Sequence, residues 1–203
     1  MKIAVLASGS GTILASMIEH KVPISLVLAD KQCKALEIAQ AAGIPAVLID
    51  RREFGYKPKI GEGWDREGFT RAVAAALQEN GIKLVAMAGF FTILHDVIFE
   101  DYDKRILNIH PALLPAFKGE YAVRDALAAR VSETGSTVHI ATEVLDDESY
   151  ILGQVRVPVE DGDDVETLWE RIKVQERELY PQVLLDILSG KINLDEVVKN
   201  SAR

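Results

Sequence analysis

The sequence predicts an α/β fold, a mostly parallel sheet with helices on both faces and an antiparallel strand pair near the C-terminus. Apolar runs typical of buried strands alternate with amphipathic helical patterns along most of the 203 residues. A glycine-rich loop follows the first strand pattern, and two strand patterns follow each other late in the chain. With no repeat, linker or low-complexity stretch, residues 1–203 are expected to form a single domain.

In the first half, Lys2 to Ala7 is predicted as a buried strand, and a helical pattern runs from Ile13 to His20. Further strands are predicted at 24–29, 46–49 and 84–88, and helices at 34–42 and 65–80. Asp65 is a plausible N-cap for the last of these helices. The charged stretch 50–63, with three glycines and one proline, predicts a mobile surface loop.

In the second half, a strand from Arg105 to His110 is closed by Pro111. A helix is predicted at 124–130, strands at 136–141 and 151–159, and a helix at 165–189 interrupted at Pro181. His139 is expected to be a hydrogen-bonded sheet residue. The three adjacent acids at 146–148 are expected to form a solvated turn.

Composition limits the class of protein. The formal net charge of -8 and the pI of about 5.1 argue against a nucleic-acid surface, which needs clustered Lys and Arg. No apolar run reaches the roughly 18 residues that span a membrane. Cys33 is the only cysteine, so no intrachain disulfide forms. We expect a cytoplasmic protein that binds neither nucleic acid nor a membrane.

The glycine-rich loop between residues 8 and 12 has three interpretations. Gly9 and Gly11, with Asp30 at the end of the second strand, supply part of a dinucleotide-binding pattern, although Leu14 occupies its third glycine position. The same loop before a helix suits a single phosphate monoester, because backbone N–H groups point at the anion there. The structural alternative is an ordinary tight turn.

Asn108 and His110 are the strongest candidates for chemistry. Two residues apart in a strand, their side chains point to the same side. They lie at the end of a predicted strand, where open α/β folds place ligands. The alternative is a hydrogen-bonded histidine beside a proline turn.

Three features together resemble the folate-dependent formyltransferases: the motif Asn108-x-His110-Pro111-x-Leu113-Leu114-Pro115, Asp146 after a Thr-x-His strand, and the glycine loop. The resemblance extends from Lys2 to about Lys191. It implies a Rossmann-like formyltransferase fold and formyl transfer from 10-formyltetrahydrofolate to the amine of 5'-phosphoribosylglycinamide in purine biosynthesis. It implies no metal, and a monomer or a homodimer.

The resemblance also assigns the catalytic residues, Asn108, His110 and Asp146. Asn108 and protonated His110 would donate hydrogen bonds to the oxyanion of the tetrahedral intermediate. His110 would also act as general acid toward the departing folate nitrogen, with Asp146 stabilising the imidazolium.

The binding residues follow from the same resemblance. Those for the substrate phosphate and ribonucleotide are Gly11, Thr12, Ile13 and Glu176. Those for folate are Arg66, Phe91, Thr92, Ile93, Leu94 and Asn108.

The chain departs from the family pattern at several of these places. Ile13 replaces an asparagine, Thr92 a long polar or basic side chain, and Lys118 a proline before Gly119. The turn at 146–151 lacks its glycine and proline, and Tyr121 and Val123 replace histidines. Three alternatives stay open: a 10-formyltetrahydrofolate hydrolase, a formyltransferase for another small amine, and a catalytically impaired folate- or nucleotide-binding paralogue. A dinucleotide-dependent oxidoreductase is a more distant one.

Overall fold

Strand β1 (Ile3–Ala7) is completely buried, as its continuous apolar sequence requires. The structure is a computed structural model that describes residues 1–57 and 63–201. The described chain forms two compact units, one from Met1 to Ile106 and one beginning at Leu107. The expectation of a single domain stays a prediction.

The first unit has a parallel sheet in the order β3-β2-β1-β4. Its elements are β1, α1 (Thr12–Glu19), β2 (Ile24–Ala29), α2 (Lys34–Ala41), β3 (Ala46–Leu48), α3 (Arg66–Glu79), β4 (Leu84–Met87) and α4 (Phe99–Tyr102), with 3-10 helices at Arg51–Phe54 and Asp96–Ile98. Apolar side chains on both faces of the strands are buried, which is typical of parallel sheets covered by helices.

The prediction of a surface loop over 50–63 is wrong at its start, where Arg51–Phe54 forms a 3-10 helix. The Asp50 side chain caps this helix by accepting from the Arg52 N–H at 2.9 Å. The Phe54 ring packs edge-on against Phe69 of α3, with 5.6 Å between ring centroids. Residues 58–62 of the predicted loop lie outside the described residues.

The second unit contains an antiparallel sheet in the order β5-β6-β7. Its elements are β5 (Ile106–His110, starting one residue before the boundary), α5 (Ala122–Ala128), β6 (Glu133–Ile140), a 3-10 helix at Glu148–Tyr150, β7 (Ile151–Pro158), α6 (Val165–Leu188) and α7 (Leu194–Ser201). Helix α6 packs on β6 and β7 and buries Leu168 and Ile172. The α/β fold with parallel strands and a C-terminal antiparallel pair is confirmed.

Two features of the second unit differ from the sequence prediction. Helix α6 is continuous through Pro181, because its buried stripe, which includes Tyr180 and Leu184, keeps the helix against the sheet on both sides of the proline. Helix α7 was not predicted. Among the described residues, no helix is long and apolar enough to cross a membrane.

Candidate functional site

The strand β5 presents Asn108 and His110 on one side, as the period of two predicts. In the antiparallel pairing, Asn108 lies opposite His139 and His110 lies opposite Thr137 on β6. The Thr137 hydroxyl donates to the Ala112 carbonyl at 2.7 Å. This bond fixes the path of the chain immediately after His110.

The His110 ring lies between two hydrogen-bond acceptors and is 5% exposed. Its Nε2 lies 2.8 Å from the Phe117 carbonyl oxygen, and its Nδ1 lies 3.4 Å from Asp146 Oδ1. Only a ring protonated on both nitrogens donates to both acceptors at once. The other Asp146 oxygen accepts from the Gly119 N–H at 2.8 Å. His110 and Asp146, two of the predicted catalytic residues, therefore lie together, and both contact the short segment 117–119.

Two residues that contact His110 have left-handed backbone conformations. The φ angle is 54° at Phe117 and 48° at Asp146, where side chains are normally disfavoured. Such conformations concentrate at functional sites, where the surrounding structure holds them. Asp146 is 5% exposed, so the prediction that the acids at 146–148 form a solvated turn is wrong for this residue.

His139 is a site residue that sequence reasoning missed. It is a buried, hydrogen-bonded sheet residue, as predicted, but its Nε2 also lies 3.2 Å from Asn108 Nδ2 and 3.9 Å from Asp146 Oδ1. Its Nδ1 lies 3.2 Å from the Ile140 carbonyl oxygen. The signal that could have found it is the antiparallel register of the two strands, which sets Asn108 opposite His139.

The environment of His139 favours its neutral form. Burial lowers the pKa of His139, although the negative charge of Asp146 acts in the opposite direction. A neutral ring with its proton on Nδ1 donates to the Ile140 carbonyl and accepts at Nε2 from the Asn108 amide. His139 therefore orients the carboxamide of Asn108.

Glu176, on α6, is connected to His110 through Ser136. The Ser136 hydroxyl lies 3.0 Å from Glu176 Oε1 and 2.9 Å from the His110 carbonyl oxygen. Burial raises the pKa of Glu176, although the hydrogen bond from Ser136 lowers it. The Ser136 hydroxyl carries a single proton, and both Glu176 Oε1 and the His110 carbonyl oxygen lie within reach of it as acceptors.

The burial of Glu176 predicts that the stability of the folded protein changes with pH. Because the pKa of Glu176 is raised in the folded protein, its contribution to stability is complete below its unfolded pKa and is lost as the pH rises through the raised value. Between about pH 5 and about pH 8, the unfolding free energy of the native protein should therefore fall relative to that of Glu176→Gln. Urea unfolding at both pH values measures the difference. Parallel pH profiles for the two proteins would contradict it.

In the first unit, the glycine loop ends in an uncapped helix. Gly11 precedes α1 with a φ of 70°, and no side chain caps the helix. A Cβ at Gly11 would lie 2.9 Å from Ala35 Cα, so the close approach of α2 requires glycine. Thr12 is exposed, whereas Ile13 is 8% exposed and packs in the core. The first-turn N–H groups are the groups that a phosphate at this end would use.

Asp30 takes part in a buried ion pair in the same unit. It is fully buried, with Arg51 Nη1 3.1 Å from its Oδ2, and it accepts a hydrogen bond from the Thr92 hydroxyl. The same Arg51 nitrogen donates to Thr92 at 2.7 Å, and the guanidinium lies 4.0 Å from the centre of the Tyr56 ring. The dinucleotide interpretation needs an acidic group that a ribose can reach, and Asp30 is not accessible.

The predicted folate segment 91–94 alternates between exposed and buried side chains. Phe91 is 71% exposed and Ile93 is 60% exposed, while Thr92 between them is 5% exposed. Leu94 is partly buried. The Phe91 N–H donates to the Ser8 hydroxyl at 3.2 Å, which ties this segment to the glycine loop. Exposed apolar groups on a fixed backbone suit a flat, partly apolar ligand.

Arg66 is the first residue of α3 and is partly buried. The predicted N-cap is confirmed, since the Asp65 side chain accepts from the Gly68 N–H at 2.8 Å. The Thr70 hydroxyl donates to the Arg66 carbonyl at 2.8 Å and accepts from the His95 N–H at 2.9 Å. This contact joins the start of α3 to the end of the segment 91–94.

The part of the chain that the structure describes contains no group of three or more His, Cys, Asp or Glu side chains arranged to hold a metal ion.

Comparison with known proteins gives consistent matches. The model of the formyl transferase family matches residues 1–184. The phosphoribosylglycinamide formyltransferase of Mycobacterium tuberculosis is 41% identical over 183 residues, which are 88% of this chain and 80% of that protein. The trifunctional purine biosynthetic protein adenosine-3 of Gallus gallus is 39% identical over 98% of this chain. The chain spans only 20% of that longer relative.

Solved structures agree with these matches. The phosphoribosylglycinamide formyltransferase from Bacillus halodurans superposes with a TM-score of 0.83 at 34% identity, covering 96% of this chain and 98% of that one. Glycinamide ribonucleotide transformylase 1 from Symbiobacterium toebii has a TM-score of 0.82 at 36% identity, covering 94% of this chain and 88% of that one.

Proposed function

Because this chain belongs to the formyl transferase family, we propose that it transfers a formyl group from 10-formyltetrahydrofolate to the amine of 5'-phosphoribosylglycinamide in purine biosynthesis. The observation that carries this proposal is the cluster of Asn108, His110, Asp146 and His139, in which Asn108 is hydrogen-bonded to His139 and both imidazoles lie within 4 Å of Asp146 Oδ1. The substrates are small molecules. We also propose a cytoplasmic location and a monomer or homodimer.

The site residues would act on charge and proton movement during transfer. The acceptor amine forms a bond to the formyl carbon, and the negative charge that develops on the formyl oxygen needs hydrogen-bond donors. One N–H of Asn108 is engaged with His139, and its second N–H is the donor proposed for the oxyanion. Protonated His110 is the second proposed donor: its Nε2–H would exchange the Phe117 carbonyl for the substrate oxygen, while Nδ1 stays beside Asp146, which balances the charge.

The second half of the reaction breaks the bond between the formyl carbon and the folate N10. His110 would deliver a proton to that nitrogen as general acid, while the attacking amine loses a proton. The geometry supports this role because the two ring nitrogens lie beside Asp146 Oδ1, at 3.4 Å, and the Phe117 carbonyl oxygen, at 2.8 Å. The ring is also held in one orientation, which a directed proton transfer requires.

Binding is proposed for the residues that the family resemblance names. The substrate phosphate would bind the N–H groups of the first turn of α1, at Gly11, Thr12 and Ile13, with Glu176 toward the ribonucleotide. Folate would bind along Phe91, Thr92, Ile93 and Leu94, with Arg66 and Asn108. The exposed apolar side chains of Phe91 and Ile93 support this assignment.

We predict that Ile13→Asn lowers the KM for the ribonucleotide, because a carboxamide at this helix start adds a phosphate donor that the native chain lacks. Ile13 is 8% exposed, so the substitution is also expected to lower the unfolding free energy by about 1–3 kcal/mol. Steady-state kinetics with varied ribonucleotide measures the first effect. An unchanged KM in a folded variant would mean that the backbone alone binds the phosphate.

A hydrolase that releases formate from 10-formyltetrahydrofolate is the second candidate. The cluster of Asn108, His110 and Asp146 would serve this reaction too, with water in place of the amine as the nucleophile. The test is the rate of tetrahydrofolate release with and without the ribonucleotide. Release that depends on the ribonucleotide supports the transferase, whereas equal release without it supports the hydrolase.

A further inference from the structure

An ion pair connects two loops of the second unit. Lys118 lies in the segment between β5 and α5, and Glu148 lies in the segment between β6 and β7. The ammonium of Lys118 pairs with the carboxylate of Glu148, 30 residues further along the chain. The hydrogen bond from Lys118 also lowers the pKa of Glu148. The pair therefore links two segments that are distant in sequence.

This ion pair joins the two segments that hold the catalytic candidates. Lys118 lies between Phe117, whose carbonyl accepts from His110, and Gly119, whose N–H donates to Asp146. On the other segment, Glu148 begins the 3-10 helix two residues after Asp146. A movement of either segment would change the distance between the imidazole and its carboxylate.

The backbone on both sides of the pair needs an external constraint. Phe117 and Asp146 both have positive φ angles, which their own side chains disfavour. A proline or a glycine-proline turn restricts the backbone covalently, and this chain has neither at these places. The ion pair of Lys118 with Glu148 instead supplies a non-covalent constraint, next to Phe117 on one segment and close to Asp146 on the other.

We propose that the Lys118–Glu148 ion pair positions His110 and Asp146 by holding together the two segments that contact them. Lys118 and Glu148 are positioning residues in this proposal, which rests on the proposed catalytic roles of His110 and Asp146. The side chains are 37% and 44% exposed, so the pair adds little to global stability. Its effect is on geometry, where a displacement of about 1 Å lowers a rate by roughly a hundredfold.

A charge exchange tests the proposal. Lys118→Glu and Glu148→Lys each set like charges against each other and should lower kcat by about thirtyfold, within the range of such displacements. The double variant with both changes restores an ion pair of opposite polarity, and its kcat should return to within about threefold of the native value. The KM values should change little, because neither side chain is proposed to contact substrate.

The matched control is the ion pair of Arg156 with Glu133, which is also exposed and joins two strands of the same unit. Arg156→Glu should leave kcat unchanged. A second readout does not need activity: hydrogen exchange at the Gly119 amide, which donates to Asp146, should accelerate in both single variants and slow again in the double variant.

Three results would overturn the proposal: single variants with native kcat and native Gly119 exchange, a double variant as impaired as the single ones, or an equal loss in Arg156→Glu. If the native protein shows no formyl transfer, the proposed function fails. Gly119 exchange in the four proteins then decides the positioning role by itself.

Discussion

Replacing His110 by alanine is expected to lower kcat by about a thousandfold or more while the protein remains folded. The imidazole is proposed both as an oxyanion donor, an interaction whose loss lowers rates by about a hundredfold to a thousandfold, and as the general acid. Asn108→Ala removes the other donor and should lower kcat by about a hundredfold or more. Both effects are measured from tetrahydrofolate release at saturating substrates.

The control for these variants is His20→Ala, which removes a histidine at the end of α1 in the other unit. Its kcat should stay near the native value. Circular dichroism and thermal unfolding of all three variants show whether the fold is retained. A folded His110→Ala or Asn108→Ala protein with native kcat would remove that residue from the mechanism.

Replacing Arg51 by methionine is expected to lower the unfolding free energy by about 3–5 kcal/mol, because it leaves the buried carboxylate of Asp30 without its cation. Asp30 is fully buried, and its Oδ1 already has no hydrogen-bond partner in the described part of the chain. Methionine keeps much of the arginine stem, so the loss is mainly one of charge. Tm should fall by roughly 10 °C, measured by calorimetry.

The neighbouring Arg52 provides a matched control. It also pairs with an aspartate, Asp50, but its side chain is 71% exposed. Arg52→Met should lower the unfolding free energy much less than Arg51→Met does, because water screens the exposed pair. Adding Asp30→Asn to Arg51→Met should recover part of the lost stability, because the buried group is then neutral. Equal effects of Arg51→Met and Arg52→Met would contradict the account of the buried pair.

The elements that the sequence predicted well depend on local signals. The bounds of β2 (Ile24–Ala29) are those predicted, and Asp65 caps α3 as its position before a helical pattern indicates. The period of two placed Asn108 and His110 on one side of β5, where Asn108 contacts His139 and His110 contacts Asp146. Each of these features depends on residues only a few positions apart.

The features that the sequence did not predict depend on contacts between distant residues. In the sequence, Arg51 is one charged residue of a predicted loop, because its partners Asp30 and Thr92 are distant in the chain and meet it only in the fold. His139 reads as an ordinary strand residue until the antiparallel register sets it opposite Asn108. Pro181 predicts an interruption, but the buried stripe of α6 keeps the helix continuous. Each of these three features depends on tertiary packing, which a local sequence pattern does not reveal.

The most direct test of the proposed function is to follow the formyl carbon. The protein is incubated with 10-formyltetrahydrofolate labelled with carbon-13 in the formyl group and with 5'-phosphoribosylglycinamide, and the products are identified by mass spectrometry. Labelled formyl is expected on the ribonucleotide with the native protein, and almost none with His110→Ala. Label recovered only as free formate, or transfer that is equally fast without His110, would contradict it.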